Sequence, residues 1–148
     1  MSTASAWSVA LNGIEGAMVE VEVAEGGGLP RTVLVGLPDA ALSQAKERVR
    51  AAVTGAELPW PNGLVTINLS PANLPKTGTH YDLAIATAAL AAIDKVPKEA
   101  ARNHVCLGEL GLDGRLRRVP GILPALLAAV RSGFDKAIVP ASQEVEAS

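Results

Sequence analysis

The sequence predicts an α+β domain in which about three helices pack on a mixed β-sheet. Three observations predict it. Residues 18–24 (MVEVEVA) alternate apolar and acidic with period two, the pattern of a strand with one wet face. Residues 40–54 instead place Leu42, Ala45, Val49, Ala52 and Val53 at three- and four-residue spacing, which makes one apolar helical stripe. Strand-like and helix-like segments then follow one another in mixed order, about seven strands and three helices, as in a layer of helices on a sheet.

Taken in order, residues 7–11 (WSVAL) form a short apolar run that Asn12-Gly13 should end, followed by the alternating strand at 18–24. Gly26-Gly27-Gly28 should turn the chain so that residues 31–36 (RTVLVG) return as a hairpin partner. That run shows little alternation, which predicts burial on both sides. Asp39 is suited to N-cap the helix at 40–54, and Gly55 to close it. Lys46, Glu47, Arg48 and Arg50 fall mostly off its stripe. Residues 64–69 (LVTINL) form the next strand. The segment 82–93 is alanine-rich and apolar nearly all round, so it is placed centrally and buried. Residues 105–110 and 116–119 flank Asp113-Gly114, the strongest local hairpin signal in the chain. Pro120-Gly121 ends that hairpin. A third helix follows at 122–132, with Pro124 tolerated in its first turn and Gly133 at its end, and a last strand at 136–139.

At 148 residues the chain is expected to be a single domain with a real core. Hydrophobic residues make up 49% but aromatics only 3%, so that core must be aliphatic and alanine-packed. A net charge of −2 gives no global bias toward nucleic acid or membrane. No signal peptide is visible and no apolar run reaches membrane-spanning length, which predicts a cytoplasmic protein with no membrane contact. Cys106 lies in an apolar stretch and reads as a small core residue. His80, His104 and Cys106 lack ligand spacing, so no metal site is expected.

The chemically richest stretch is the loop entering the alanine helix, Lys76-Thr77-Gly78-Thr79-His80-Tyr81-Asp82. Polar loops at helix N-termini often hold chemistry, because unpaired N–H groups and a partial positive charge gather there. As a nucleotide loop it fails: a P-loop needs two glycines bracketing four residues, then a lysine and a hydroxyl residue. Neither Gly26–Gly28 nor Gly78 fits, and both read as turns. As a hydrolase it lacks the strained serine elbow, and Ser70 precedes Pro71, a restricted position. The plain reading has Asp82 capping the helix, Gly78 making the turn and His80 facing solvent. A second feature is the cation cluster Arg115, Arg117 and Arg118. In a strand Arg115 and Arg117 share a face while Leu116 points inward, leaving either a solvated face or a contact with phosphates or an acidic partner. Lys46, Arg48 and Arg50 form a second basic group.

Three blocks, VGLPDAALSQAKERVRAAV, VTINLSPANLPKTGTHYDLAIA and LGELGLDGRLRRVPGILPALLAA, closely resemble the N-terminal domain of magnesium-chelatase-like AAA+ ATPases, the YifB/ComM family. They span residues 35–129 in the family order. The resemblance implies a fold similar to the proteolytic domain of Lon, the ribosomal-protein domain 2-like fold. Lon proteases use a serine–lysine dyad within a loop K-D-G-P-S-A-G. Matching that loop to 76–82 puts His80 at the serine position. Lon's lysine follows V-G-G-L, matched by Val119-Pro120-Gly121-Ile122, which puts Leu123 at the lysine position. Lys76, Gly78, His80, Asp82 and Leu123 are thus expected to be former-site positions without the dyad's chemistry. Family members commonly have proline and a small residue after the loop glycine, where this chain has Thr79-His80.

The resemblance further implies a nucleotide module, with Walker A lysine, ATP and Mg, lying C-terminal to this domain. This chain alone is expected to bind no cofactor. It would contribute to packing with its own AAA+ module and with sister subunits of a ring, and to DNA or substrate contact in a competence- or recombination-linked motor. Two alternatives stay open: a Lon-like hydrolase with a replaced nucleophile such as Thr79, with Lys76 the obvious base, and a protein-interaction module.

Overall fold

The computed structural model describes residues 2–12 and 15–144. Gly13, and with it the turn expected at Asn12-Gly13, lies outside the described residues. Among the described residues, six strands form one sheet in the order β3 (Arg31–Val35), β4 (Leu64–Ser70), β2 (Glu15–Gly26), β1 (Ser2–Asn12), β5 (Val105–Cys106) and β8 (Ala137–Ile138), and two more, β6 (Glu109–Leu110) and β7 (Leu116–Arg117), form a separate ribbon. Strands β1 (Ser2–Asn12) and β2 (Glu15–Gly26) make a long antiparallel pair, Ser2 opposite Glu25 and Asn12 opposite Glu15. The first strand is therefore longer than residues 7–11. Residues 2–6 (STASA) have little strand character of their own, and the pairing with β2 extends them.

Alternation along these strands divides the core. Ala4, Ala6, Ala10, Val19, Val21 and Val23 lie on one face, buried with the helices α2 (Ala45–Gly55) and α3 (Asp82–Ala92). Val9, with Trp7, Leu11 and Met18, lies on the other, packed on α5 (Ile122–Arg131). Strand β4 (Leu64–Ser70) joins the first set: Leu69 pairs with Val21 and Ile67 with Val23, antiparallel. As expected, Glu20 and Glu22 fall on the wetter face of β2.

Strand β3 (Arg31–Val35) departs from expectation. It pairs with β4, parallel, and not with β2. β4 takes the position beside β2 because it offers three fully buried apolar side chains, Val65, Ile67 and Leu69, to the same face as Val21 and Val23. β3 is left as an edge strand, with Val33 and Leu34 only partly buried and Val35 41% exposed. Its lack of alternation signalled an edge, not double burial.

Asp39 caps as predicted, its Oδ1 accepting from the Leu42 amide at 2.7 Å. The expected single helix is broken after α1 (Ala40–Ser43), and α2 resumes at Ala45. All five stripe residues are nonetheless buried. α3 matches its predicted span, and its alanines Ala84, Ala88, Ala89 and Ala91 are fully buried, which lets the helix lie close on the sheet. A short helix, α4 (Lys98–Arg102), was not anticipated: five residues are too few for a periodic signal. The helices therefore number five among the described residues, the three expected being the long ones.

The run 105–110 is two strands. β5 (Val105–Cys106) joins the main sheet parallel to β1, while β6 (Glu109–Leu110) turns away to pair antiparallel with β7 (Leu116–Arg117). The break falls at Gly108, whose N–H donates to the His80 carbonyl at 3.1 Å and whose carbonyl accepts from Leu83 N at 3.2 Å. Its backbone is spent on the entrance of α3, so it cannot continue a ladder. The Asp113-Gly114 hairpin is present, with Glu109 opposite Arg117 and Leu110 opposite Leu116. β8 (Ala137–Ile138) closes the sheet beside β5. No helix among the described residues is long and apolar enough to cross a membrane.

Candidate functional site

The loop between β4 and α3 is held from both sides. Pro38 bridges Lys76, Lys76 N donates to the Leu37 carbonyl at 3.0 Å, and Asp39 N donates to the Lys76 carbonyl at 2.9 Å. The second oxygen of Asp39 accepts from Gly78 N at 3.3 Å, so one carboxylate both caps α1 and fastens the loop glycine. Gly78 sits at φ +101°, a conformation natural to glycine, and makes the turn as predicted.

Lys76 is fully buried. Its Nζ donates to the Leu69 carbonyl at 3.1 Å and to the Pro71 carbonyl, drawing the loop back on the end of β4. Burial lowers its pKa below the ordinary lysine value. The alternative that paired Lys76 with Thr79 therefore does not match the contacts. Thr79 Oγ1 donates instead to Glu109 Oε2 at 2.8 Å.

His80 does not face solvent: it is 9% exposed, and its Nε2–H donates to the Val9 carbonyl at 2.6 Å. A carbonyl can only accept, which sets the Nε2–H tautomer. Burial pulls the imidazole pKa down, against the Val9 bond and the nearby Asp39 charge, which act to raise it. The ring stacks on Tyr81 at 4.1 Å between centroids. Tyr81 is itself fully buried, with a hydroxyl that has no hydrogen-bond partner among the described residues and a pKa raised by burial and then by Asp39.

Asp82 is not the cap of α3. Tyr81 holds that position, and the Asp82 carboxylate faces sideways. It takes two bonds from Arg48, from Nε at 2.6 Å and Nη2 at 2.7 Å, and a third from Leu110 N at 3.0 Å. Its side chain is wholly buried, while that of Arg48 keeps 18% exposure. Burial pushes the Asp82 pKa up against the pull of Arg48 and Leu110, and the bonds to Asp82 raise that of Arg48. Arg48 is thus withdrawn from the basic group on α2, leaving Lys46 and Arg50. Sequence reasoning missed this pair, whose members lie 34 residues apart. One signal was present: a carboxylate in an otherwise apolar buried helix requires a partner.

Leu123, the position matched to the dyad lysine, lies on α5 and is 53% exposed. It lines a cleft of about 440 Å³ with Glu15, Pro124, Leu127 and Arg131, to which no residue of the 70–81 loop contributes. Among the described residues, the cleft that holds Leu123 does not include His80.

The arginine hairpin is built on this network. Leu110 N bonds to Asp82 and Glu109 to Thr79, so both residues of β6 are tied to the entrance of α3. Arg115 belongs to the turn and not to β7. Its N–H donates to Asp113 Oδ1 at 3.0 Å, and its side chain is exposed. Arg117, also exposed, lies over Gly111, where a Cβ would come within 2.6 Å of Nε. Leu116 packs inward as predicted. Arg118 is engaged: its Nη1 donates to the Ser142 carbonyl at 2.9 Å. Among the described residues no three His, Cys, Asp or Glu side chains gather as a metal site. His104 bonds the Ala100 carbonyl at 2.6 Å, and Cys106 is buried against Thr87 with its thiol pushed up to about 11, mainly by burial.

A family model described as subunit ChlI of Mg-chelatase matches residues 19–143. Over all 148 residues the chain is 51% identical to the uncharacterized protein Rv2897c of Mycobacterium tuberculosis, of which it covers 29%. It is 41% identical over 132 residues to competence protein ComM of Haemophilus influenzae, an alignment covering 89% of this chain and 26% of that protein. To YifB of Escherichia coli it is 40% identical over 134 residues, covering 90% and 26%. The chain thus spans less than a third of the length of these relatives.

Proposed function

From the premise that the chain belongs to the magnesium-chelatase-like family that includes ComM and YifB, we propose that residues 1–148 are one non-catalytic, Lon-like N-terminal domain of a ring-forming AAA+ ATPase. The domain packs against its own AAA+ module and sister subunits and offers the arginine hairpin to DNA. ATP and Mg are bound elsewhere in the intact cytoplasmic protein, whose activity is ATP-driven remodelling of DNA in a competence- or recombination-linked process.

The observation that carries this reading is the hairpin. Arg115 and Arg117 are exposed cations on a ribbon whose other strand is anchored through Asp82 and Thr79. Such a ribbon presents charge at a fixed place, which phosphate contacts require. Two or three arginines neutralise at most about three phosphates, so the isolated domain binds weakly, in the non-specific range of about 10⁻⁴ to 10⁻⁶ M, and less as salt rises. Repetition around a ring converts such contacts into a useful grip.

The absence of catalysis is supported by the matched dyad positions. His80 is committed to a backbone carbonyl, and aliphatic Leu123 cannot accept a proton. One observation favours the hydrolase alternative, the Thr79–Glu109 contact, since a carboxylate could serve that hydroxyl as base. A covalent probe for serine and threonine nucleophiles separates the readings: labelling lost in Thr79→Ala would establish the enzyme.

DNA contact is tested by fluorescence anisotropy with single-stranded and branched DNA at low salt. Wild type should bind weakly without sequence preference, and Arg115→Ala/Arg117→Ala should bind less. If both are equally inert, the hairpin is not a DNA contact.

A further inference from the structure

Two apolar surfaces, on opposite faces of the sheet, are left open to solvent. The first is the outer side of α5, where Leu123, Leu127 and Val130 are 53%, 48% and 67% exposed. Their spacing of four and three residues aligns them along two turns. The second is a groove of about 170 Å³ between α2 and α3. Its α3 wall is Leu83, Thr87 and Leu90, at the same spacing, and Ala52 of α2 contributes with Ala56 just past that helix's end. Leu58 stands at the rim, 45% exposed. Single exposed leucines are ordinary, but contiguous apolar ridges and grooves mark contacts.

We propose that the ridge and the groove are the two halves of one contact, α5 of one copy docking head to tail in the α2–α3 groove of the next. This rests on reading the chain as a subunit-packing domain and names the surfaces that pack. The dimensions agree, since Leu123 to Val130 and Leu83 to Leu90 each cover seven helical steps, about 10 Å at 1.5 Å per residue. The small side chains of Ala52, Ala56 and Ala86 leave hollows for leucine knobs, as in helix–helix packing.

Charge favours one orientation. Arg131, the only charged residue of α5, is exposed at the end of the ridge. Exposed Glu57 and Asp94 follow the C-terminal ends of α2 and α3, with exposed Lys95 next to Asp94 as an opposing charge. Helix C-termini also favour a cation. Arg115 follows Gly114, which lines the groove, and would repel Arg131 there. Because ridge and groove lie on opposite faces of the sheet, the contact is heterologous, and repetition gives a ring or an open filament.

Sedimentation velocity on the chain, over a concentration series reaching about 1 mM, tests the proposal. Wild type should gain apparent mass with concentration. Leu127→Glu on the ridge and Leu58→Glu on the rim, both at half-exposed positions, should each weaken association at least tenfold while retaining native circular dichroism. Mixed together, they should form a 1:1 complex and nothing larger, because each supplies the one surface the other lacks. A two-fold contact of α5 with α5 would instead leave Leu58→Glu self-associating, and that result overturns the proposal. So would a wild type monomeric throughout, or an inert mixture. The DNA titration needs no assembly, so loss of self-association leaves the DNA reading standing, and inert DNA with intact association removes that reading alone.

Discussion

Replacing Asp82 by asparagine removes one charge and almost no volume, at the junction where α2, α3 and β6 meet. The carboxylate is fully buried and accepts three hydrogen bonds, two from Arg48 and one from the Leu110 amide. An asparagine can still accept through its single oxygen, but it presents an NH₂ group to the guanidinium and leaves Arg48 without a counter-charge. Removing one partner of a buried pair costs about 3–5 kcal/mol. The Arg48 side chain keeps 18% exposure, through which water can partly resolvate it, so the lower end applies, about 3 kcal/mol. For a chain of this length, at about 2–4 °C per kcal/mol, the melting temperature should fall by about 6–12 °C. Urea unfolding followed by circular dichroism measures the loss, and amide exchange at Leu110 should quicken as β6 loosens. The double variant Arg48→Met/Asp82→Leu, which leaves no orphaned charge, should recover most of the stability. A loss below about 1 kcal/mol in Asp82→Asn, or a double variant no better than the single, would refute the view that this pair clamps the hairpin to the helices.

Three further outcomes are expected. His80 has a folded pKa below the unfolded value near 6.5, so its stabilising contribution is complete above that value and is lost as pH falls through the folded pKa, at up to about 1.4 kcal/mol per pH unit. Wild type should therefore lose stability on acidification from pH 7 more steeply than His80→Gln, and identical slopes in urea titrations would count against a neutral buried imidazole. Gly36→Ala should destabilise far more than Gly28→Ala. Both glycines have positive φ, but a Cβ at Gly36 would lie 2.2 Å from the Leu69 carbonyl whereas Gly28 opens on empty space, so equal melting temperatures would contradict the β3–β4 packing. Calorimetric titration with Mg-ATP should show no binding tighter than about millimolar, a level of about 4 kcal/mol, and micromolar binding would overturn the reading of the glycine stretches as turns.

Local patterns carried the α+β class and the position of nearly every long element. Period-two alternation in residues 18–24 and the stripe of α2 each report which side of an element is dry, a property that neighbouring residues settle among themselves. The Asp39 cap, the Gly78 turn and the Asp113-Gly114 hairpin are likewise short-range, so they were legible from residue type and spacing. The family was legible as well, because its three sequence blocks stand contiguous in the chain.

Tertiary structure decided what depends on partners far apart in sequence. Whether β3 pairs with β2 or β4 turns on which strand brings the better buried face, and β4 lies about thirty residues further on, beyond any turn signal. The break at Gly108 follows from the demand of the α3 entrance for backbone bonds. Asp82 could be recognised as a carboxylate needing a partner, but nothing local names Arg48. His80 looked like a solvent-facing loop residue because its acceptor, the Val9 carbonyl, lies 71 residues earlier in the chain. Sequence identifies groups that must be satisfied; only the fold, by bringing distant segments within hydrogen-bonding distance, determines what satisfies them.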